Sequence, residues 1–216
     1  MKNKLIAIFA IFGVALAGFV AGGLFNSENQ SATESTISSP APAESTAEVT
    51  PEPVEPSAAV EMPQFDVPSD KQAALAWSAL MDEEGEYAAY AMYSAVIDKY
   101  GSVEPYVTIR EAEGRHIQAL IRQLSRFGIE VPENPYLGNV LAPDDLKTAA
   151  EAWAVGEIAN VELYDELLAQ TTDSNLIRVF NNLRASSNDQ HLPLFTAAAE
   201  NDGVLSSTQM QEFRGY

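Results

Sequence analysis

The chain has 216 residues, with 31 acidic and 12 basic side chains, a net charge of −19 and no cysteine. The missing cysteine excludes disulfides, zinc–thiolate sites, thiol nucleophiles and a lipidated N-terminal Cys, so any metal must rest on oxygen and nitrogen ligands. The acidity repels phosphate backbones and argues against nucleic-acid binding; it suits a protein that attracts cations, and equally serves solubility.

Residues 1–25 read as a membrane segment. Leu5 to Phe25 carries no charge, and its 21 residues as a helix span about 31 Å, the thickness of a hydrocarbon core. Lys2 and Lys4 precede the apolar run and acidic residues come after it, which places the short N-terminus in the cytoplasm and the rest outside. The expected location is therefore the cell membrane, single-pass, with an extracytoplasmic domain. A cleaved signal peptide, with Ala15-Leu16-Ala17 at the cleavage site, is the alternative and leaves the domain secreted.

Residues 26–70 hold nine acids and no base and are rich in Ser, Thr, Ala and Pro, as in Pro51-Glu52-Pro53-Val54-Glu55-Pro56. Too little apolar material is present to offset chain entropy. Prolines and like charges extend such a segment, so it reads as a disordered tether.

Residues 71–200 show helical periodicity in four segments, with no convincing strand alternation. Helix one is expected from about Ser69 to Tyr100, helix two from about Glu104 to Phe127 with Ser102 as a cap, helix three from about Asp144 to Gln170, and helix four from about Ser174 to Glu200. Glycines and prolines fall near their ends. Two of the links are only a few residues, while Gly128 to Ala142 is longer. Such links favour an all-α, antiparallel, up-down-up-down four-helix bundle. Residues 201–216 form an unassigned amphiphilic tail that could dock on the bundle or on a partner.

Each apolar stripe is interrupted by a residue able to bind metal. Helix two reads Ile109, Glu113, His116, Ile117, Leu120, Leu124, so Glu113 and His116 point inward at Glu-x-x-His spacing. Glu157 interrupts helix three, Glu86 interrupts helix one, and His191 lies in the stripe of helix four with Asn188 one turn before it. Burying an unpartnered carboxylate costs several kcal/mol, so three of them on three helices call for a shared cation or protons. Counted at about 1.5 Å per residue, Glu86 and His116 lie about 21 and 18 Å from the first link, Glu113 and Glu157 about 21 and 20 Å from the second, and Glu157 and Asn188 about 20 and 21 Å from the third. The residues thus meet near one level. His116 and His191 are the only histidines, and both fall in this layer.

With these residues in place, the sequence resembles the ferritin-like superfamily of carboxylate-bridged di-metal proteins: Glu on helix one, Glu-x-x-His on helix two, Glu on helix three and Glu-x-x-His on helix four. More closely, it is similar to an uncharacterised bacterial and archaeal ferritin-like family, a domain of unknown function. The matching pieces are Glu86-Tyr87-Ala88-Ala89-Tyr90, Glu113-Gly114-Arg115-His116, Gly156-Glu157-Ile158-Ala159-Asn160 with Leu163-Tyr164-Asp165, and Ser187-Asn188-Asp189-Gln190-His191-Leu192-Pro193-Leu194-Phe195. One position departs: the superfamily's second Glu-x-x-His requires Glu at 188, and this chain has Asn188. Asp189 is the nearest substitute, about 100° further round the helix. Pro193 lacks the amide that would bond the Asp189 carbonyl, so a kink there could turn Asp189 inward or leave a carbonyl facing the site.

The resemblance implies one or two Fe or Mn ions on Glu86, Glu113, His116, Glu157 and His191, with Asn188 or Asp189 as additional candidates. Glu113 and Glu157 are the expected bridging carboxylates. Tyr90, Tyr93 and Tyr164 lie near the site, either as hydrogen-bonding and electron-donating groups or as packing; Trp153 reads as packing. The functional expectation is a non-haem iron or manganese redox centre acting on dioxygen, peroxide or ferrous ion. The alternative is a non-enzymatic, surface-tethered bundle that binds a divalent cation or a protein partner. Expected partners are the membrane and a small oxidant or metal ion, and a homodimer is a candidate assembly. A ferritin-type shell is not expected, because the anchor and tether obstruct it.

Overall fold

The computed structural model describes residues 64–213. The membrane segment and most of the tether therefore lie outside the described residues. Among those described, every regular element is a helix, and no helix is long and apolar enough to cross a membrane. In chain order the elements are α1 (Lys71–Met81), α2 (Glu86–Tyr100), α3 (Tyr106–Arg126), α4 (Leu146–Gln170), α5 (Ser174–Ser186), a π-helical turn (Ser187–His191), α6 (Leu192–Glu200) and α7 (Ser207–Phe213).

Local chemistry accounts for most of the helix starts. Asp70, Asp145 and Asp173 accept backbone amides at the beginnings of α1, α4 and α5, satisfying donors that have no partner within the helix. At α3 the work falls to Glu104, whose carboxylate accepts from the Thr108 amide at 3.2 Å and hydroxyl at 3.0 Å, and not to Ser102. The α4–α5 link is fixed by Gln72 of α1, whose Oε1 accepts from the Thr171 hydroxyl and from the amides of Thr172 and Asp173.

Two expected helices are divided. Helix one breaks at Asp82–Gly85 into α1 and α2. Gly85 passes so near the end of α1 that a Cβ on it would lie 2.7 Å from the carbonyl of Ala79. The break is also held from outside: Asn160 of α4 donates to the Glu84 carbonyl at 2.7 Å, and Tyr136 in the long loop donates to the Met81 carbonyl at 2.8 Å. Helix four is divided by the π-turn directly before Pro193. Proline lacks the amide a regular helix would need there, and a one-turn widening accommodates the loss.

The helix α2 packs on α3; α4 packs on α5, the π-turn and α6; α1 lies against α2, α3 and α4. Two apolar clusters result. One gathers Leu80, Leu120, Leu124, Tyr164, Leu167 and Phe180; the other gathers Val96, Tyr106, Ile109, Trp153, Phe195 and Ala198. The tail belongs to the second cluster through buried Leu205 and Met210, and the Leu205 amide donates to the Glu104 carbonyl at 2.9 Å. Gly203 makes this possible: it sits at φ +87°, and a Cβ there would fall 2.0 Å from the carbonyl carbon of Leu146. Along α3 and α4 the buried polar residues Glu113, Glu157 and Asn160 lie between the positions that feed the two clusters.

Candidate metal centre

Glu86, Glu113, Glu157 and His191 are each at most 3% exposed, and the His116 side chain is 14% exposed. They come from α2, α3, α4 and the π-turn. Their donor atoms form two triads, Glu86–Glu113–His116 and Glu113–Glu157–His191, within each of which all donor atoms lie within 4.8 Å of one another.

Glu113 is shared. Its Oε2 lies 2.8 Å from His116 Nδ1 and its Oε1 lies 3.0 Å from His191 Nδ1. Each outer carboxylate has one oxygen turned toward an imidazole: Glu86 Oε2 is 3.2 Å from His116 Nδ1, and Glu157 Oε2 is 3.5 Å from His191 Nδ1. Each gives its other oxygen to a buried tyrosine. Tyr164 donates to Glu86 Oε1, and Tyr93 donates to Glu157 Oε1 at 2.6 Å. The two halves therefore repeat one plan: a carboxylate held by a tyrosine, the shared carboxylate, and an imidazole presenting Nδ1. The imidazole rings stack at 5.6 Å with 22° between planes.

His191 supplies the test of whether a cation fits. Its Nε2 lies 3.1 Å from Ser186 Oγ; in a neutral, metal-bound ring Nε2–H would donate to that hydroxyl and leave the Nδ1 lone pair for the ion. That Nδ1 is buried and makes no aligned hydrogen bond, although two carboxylate oxygens lie within 3.5 Å. Buried polar atoms are nearly always paired. Here His191 Nδ1 faces two carboxylate oxygens across a common space, the arrangement a positive ion would complete. The Glu and His groups can hold a metal ion, and the donor set of hard oxygen and imidazole suits a divalent first-row metal.

The charges are tightly interdependent. Burial, reinforced by the charge of Glu113, pushes Glu86 up to about 8, although Glu86 opens α2, where the helix dipole favours an anion. Burial also opposes charge on Glu113, but His191, Glu86 and His116 outweigh it and hold that carboxyl well below the usual range. Burial opposes charge on the imidazoles, yet Glu86 and Glu113 push His116 up to about 11, and Glu113 and Glu157 push His191 up to about 10. Burial, reinforced by the adjoining carboxylates, raises Tyr93 and Tyr164 well above the ordinary phenol value, so both are hydrogen donors at neutral pH.

The structure does not bring every candidate inward. Asn188 and Asp189 are exposed and bond one another, Asn188 Nδ2 donating to Asp189 Oδ1 at 2.6 Å. The reason is the π-turn: widening one turn rotates 188 and 189 out to solvent while Ser187 and His191 stay buried. Tyr90 is half-buried against the Leu80 cluster, its ring 3.6 Å from where a Gly114 Cβ would stand. Three residues not named as candidate ligands do enter. Ser186 contacts His191, and the Ser187 hydroxyl donates to Asn160 Oδ1 at 2.7 Å, while the Asn160 amide reaches the Glu84 carbonyl. This chain of bonds ties the turn that carries His191 to the break that precedes Glu86. Its traces in the sequence are Pro193 and the fragments that carry Asn160 and Ser187.

The chain matches no family model, no curated protein and no solved structure.

Proposed function

We propose that this protein is a membrane-tethered, extracytoplasmic four-helix bundle of the ferritin-like kind, carrying a non-haem iron or manganese redox centre that acts on dioxygen, peroxide or ferrous ion. The single observation that carries the reading is the sharing of Glu113: two donor triads meet on one carboxylate, the layout expected when two cations are bridged. In the bundle α2, α3, α4 and the α5–α6 segment are the four members, with α1 as an extension before the break. Lys2, Lys4 and the uncharged run after them support the tethered, exported location.

Glu86 and His116 would hold one ion, Glu157 and His191 the other, and Glu113 both. An iron or manganese ion bound there supplies one-electron chemistry with open positions for a small ligand. The protein's own part is preorganisation. Tyr164 and Tyr93 fix the outer carboxylates so that only one oxygen of each turns inward, and Ser186 orients His191. The apolar clusters on either side of the layer lower the local dielectric, which strengthens the electrostatic contacts within it.

The test is elemental analysis of the full-length chain in detergent after loading with ferrous or manganous ion, then oxygen- and peroxide-consumption assays. Two equivalents per chain, lost in Glu113→Ala, with oxidant consumed, is the expected result. Bound metal with no oxidant consumed would leave a cation-binding surface module, and no metal under replete conditions would sink both readings.

A further inference from the structure

A cavity of about 70 Å³ opens between α2 and α4 beside the charged layer. The residues these helices present to it include Ala89, Ala152, Gly156 and Ala159, side chains too small to close the gap. Four carboxylates line it: Glu83 and Glu84, half-buried in the α1–α2 break, and the buried Glu113 and Glu157. No basic side chain does. Met92, Tyr93 and Trp153 supply thioether and aromatic surface to the same space.

The charge of the lining decides the sign of an occupant. Carboxylates around a partly enclosed space repel an anion and concentrate a cation. The inner pair has little to offer it, because both oxygens of Glu113 face imidazoles and those of Glu157 face Tyr93 and His191. The counter-charge therefore comes from the outer pair. Coordination decides the kind of cation. A divalent metal ion needs several ligand atoms converging on one point. Among the described residues the groups placed to do that are the two triads of the layer, and neither includes Glu83 or Glu84. An ammonium group asks for less, since its three donors turn to whatever acceptors are near. A carbon substituent on it suits the rest of the wall, where aromatic rings and a thioether favour a cation that carries apolar groups.

We infer that this cavity binds a small primary alkylammonium ion, with the ammonium group donating to the Glu83 and Glu84 carboxylates and the carbon chain lying against Met92 and Trp153. Volume limits the chain. An apolar cavity of about 150 Å³ holds benzene, so one of half that volume takes about three heavy atoms, the size of ethylammonium. The ligand enters carbon first. A lysine side chain of another protein would enter with its charge leading, so the ligand is a free amine. Binding here needs no metal in the layer and does not rest on the redox function proposed for it.

The test follows the isotopically labelled methionine methyl groups of the full-length chain in detergent, with chelator present. It is run at about pH 8, where an alkylammonium is still charged and Glu84, held up to about 7 by its hydrogen bond to Asp82, is ionised. Ethylammonium chloride should shift the Met92 signal saturably and leave that of Met210, in the Phe195 cluster, unmoved. Sodium chloride and magnesium chloride at equal ionic strength, ethanol as the uncharged analogue, and hexylammonium should produce no such shift. Glu83→Gln and Glu84→Gln should each weaken binding about tenfold. A Cβ at Gly156 meets only Trp153 Cε3 at 3.9 Å, so Gly156→Leu should fill the opening and abolish binding, with the Met210 signal at its wild-type position showing the fold intact. No saturable shift of Met92 overturns the inference, as does wild-type affinity in both glutamine variants. Ethanol binding as well as ethylammonium would make the cavity merely apolar, displacement by magnesium would make it a metal site, and equal binding of hexylammonium would remove the size limit; each overturns it too. Ethylammonium binding by a chain that takes up no metal under replete conditions would remove the proposed redox centre and leave this inference standing.

Discussion

The Nδ1 atom of His191 lies 3.0 Å from Oε1 of Glu113, and the charge of Glu113 favours the protonated ring. Since the other oxygen of Glu113 faces His116, one carboxylate is the hinge of the whole layer. Glu113→Ala should therefore abolish metal binding in both halves, whereas Glu86→Ala and Glu157→Ala should each remove one equivalent. Elemental analysis of the three variants side by side checks this. Equal losses in all three would show that the triads do not act as separate halves.

The tyrosines should matter through the carboxylates they hold. Tyr93→Phe and Tyr164→Phe keep the packing but leave a buried Glu oxygen unpaired, which costs about 1–3 kcal/mol. Urea unfolding of the metal-free chain should show that loss in both variants, and metal affinity should fall with it. Tyr90→Phe, which removes no hydrogen bond to the layer, should change neither.

Stability of the metal-free protein should fall on the alkaline side. His116 and His191 are raised to about 11 and about 10 from 6.5, so the stability they contribute is fully present below pH 6.5 and lost as pH climbs through those higher values. Glu86, raised to about 8 from 4.5, acts in the same direction, its contribution being full below 4.5 and gone above 8. Metal needs the deprotonated ligands, so binding should release protons, and the gain in Tm on loading should grow from about pH 6 to about pH 9. Thermal melts with and without chelator across that range give the answer; a gain that shrinks with rising pH would contradict the assignment of these groups as ligands.

Asn160 joins the α1–α2 break to the π-turn through two hydrogen bonds. Asn160→Ala should cost about 1–3 kcal/mol by leaving the Ser187 hydroxyl and the Glu84 carbonyl unpaired. It should also weaken metal binding, because Glu86 and His191 would no longer be held in register. Ser187→Ala should show a smaller effect of the same sign. Loss of stability in Asn160→Ala with metal affinity unchanged would make the link purely structural.

Much of this layout is legible in the sequence because it rests on periodicity. Glu113, Glu157, Glu86 and His191 interrupt apolar stripes, and burial of a stripe carries its interruptions inward with it. The illegible part depends on contacts between distant segments. The apolar spacing of Leu75, Ala79, Glu86 and Tyr90 runs straight across the α1–α2 break, which Gly85 permits and Asn160 and Tyr136 hold from elsewhere in the fold. The π-turn adds a fraction of a turn that no spacing rule anticipates. Pro193 marks the place but not the form of the distortion; the stripe through Ser187 and His191 is buried as regular spacing has it, while Asn188, one turn before His191, turns out to solvent. Tyr93 and Tyr90, three residues apart, cannot be separated without knowing which of them lies opposite Glu157.

The charged layer also divides the interior. The cluster around Phe180 and the cluster around Phe195 lie to either side of it, and α4 runs through both. Each cluster is held by contact among carbon atoms, which varies little with pH, while the plane between them is held by groups whose attraction depends on their protonation. The molecule is thus two stable ends joined by a titratable seam. Amide exchange should resolve it into two opening units that share α4, with the α7 end able to unfold while the α1 end keeps its protection.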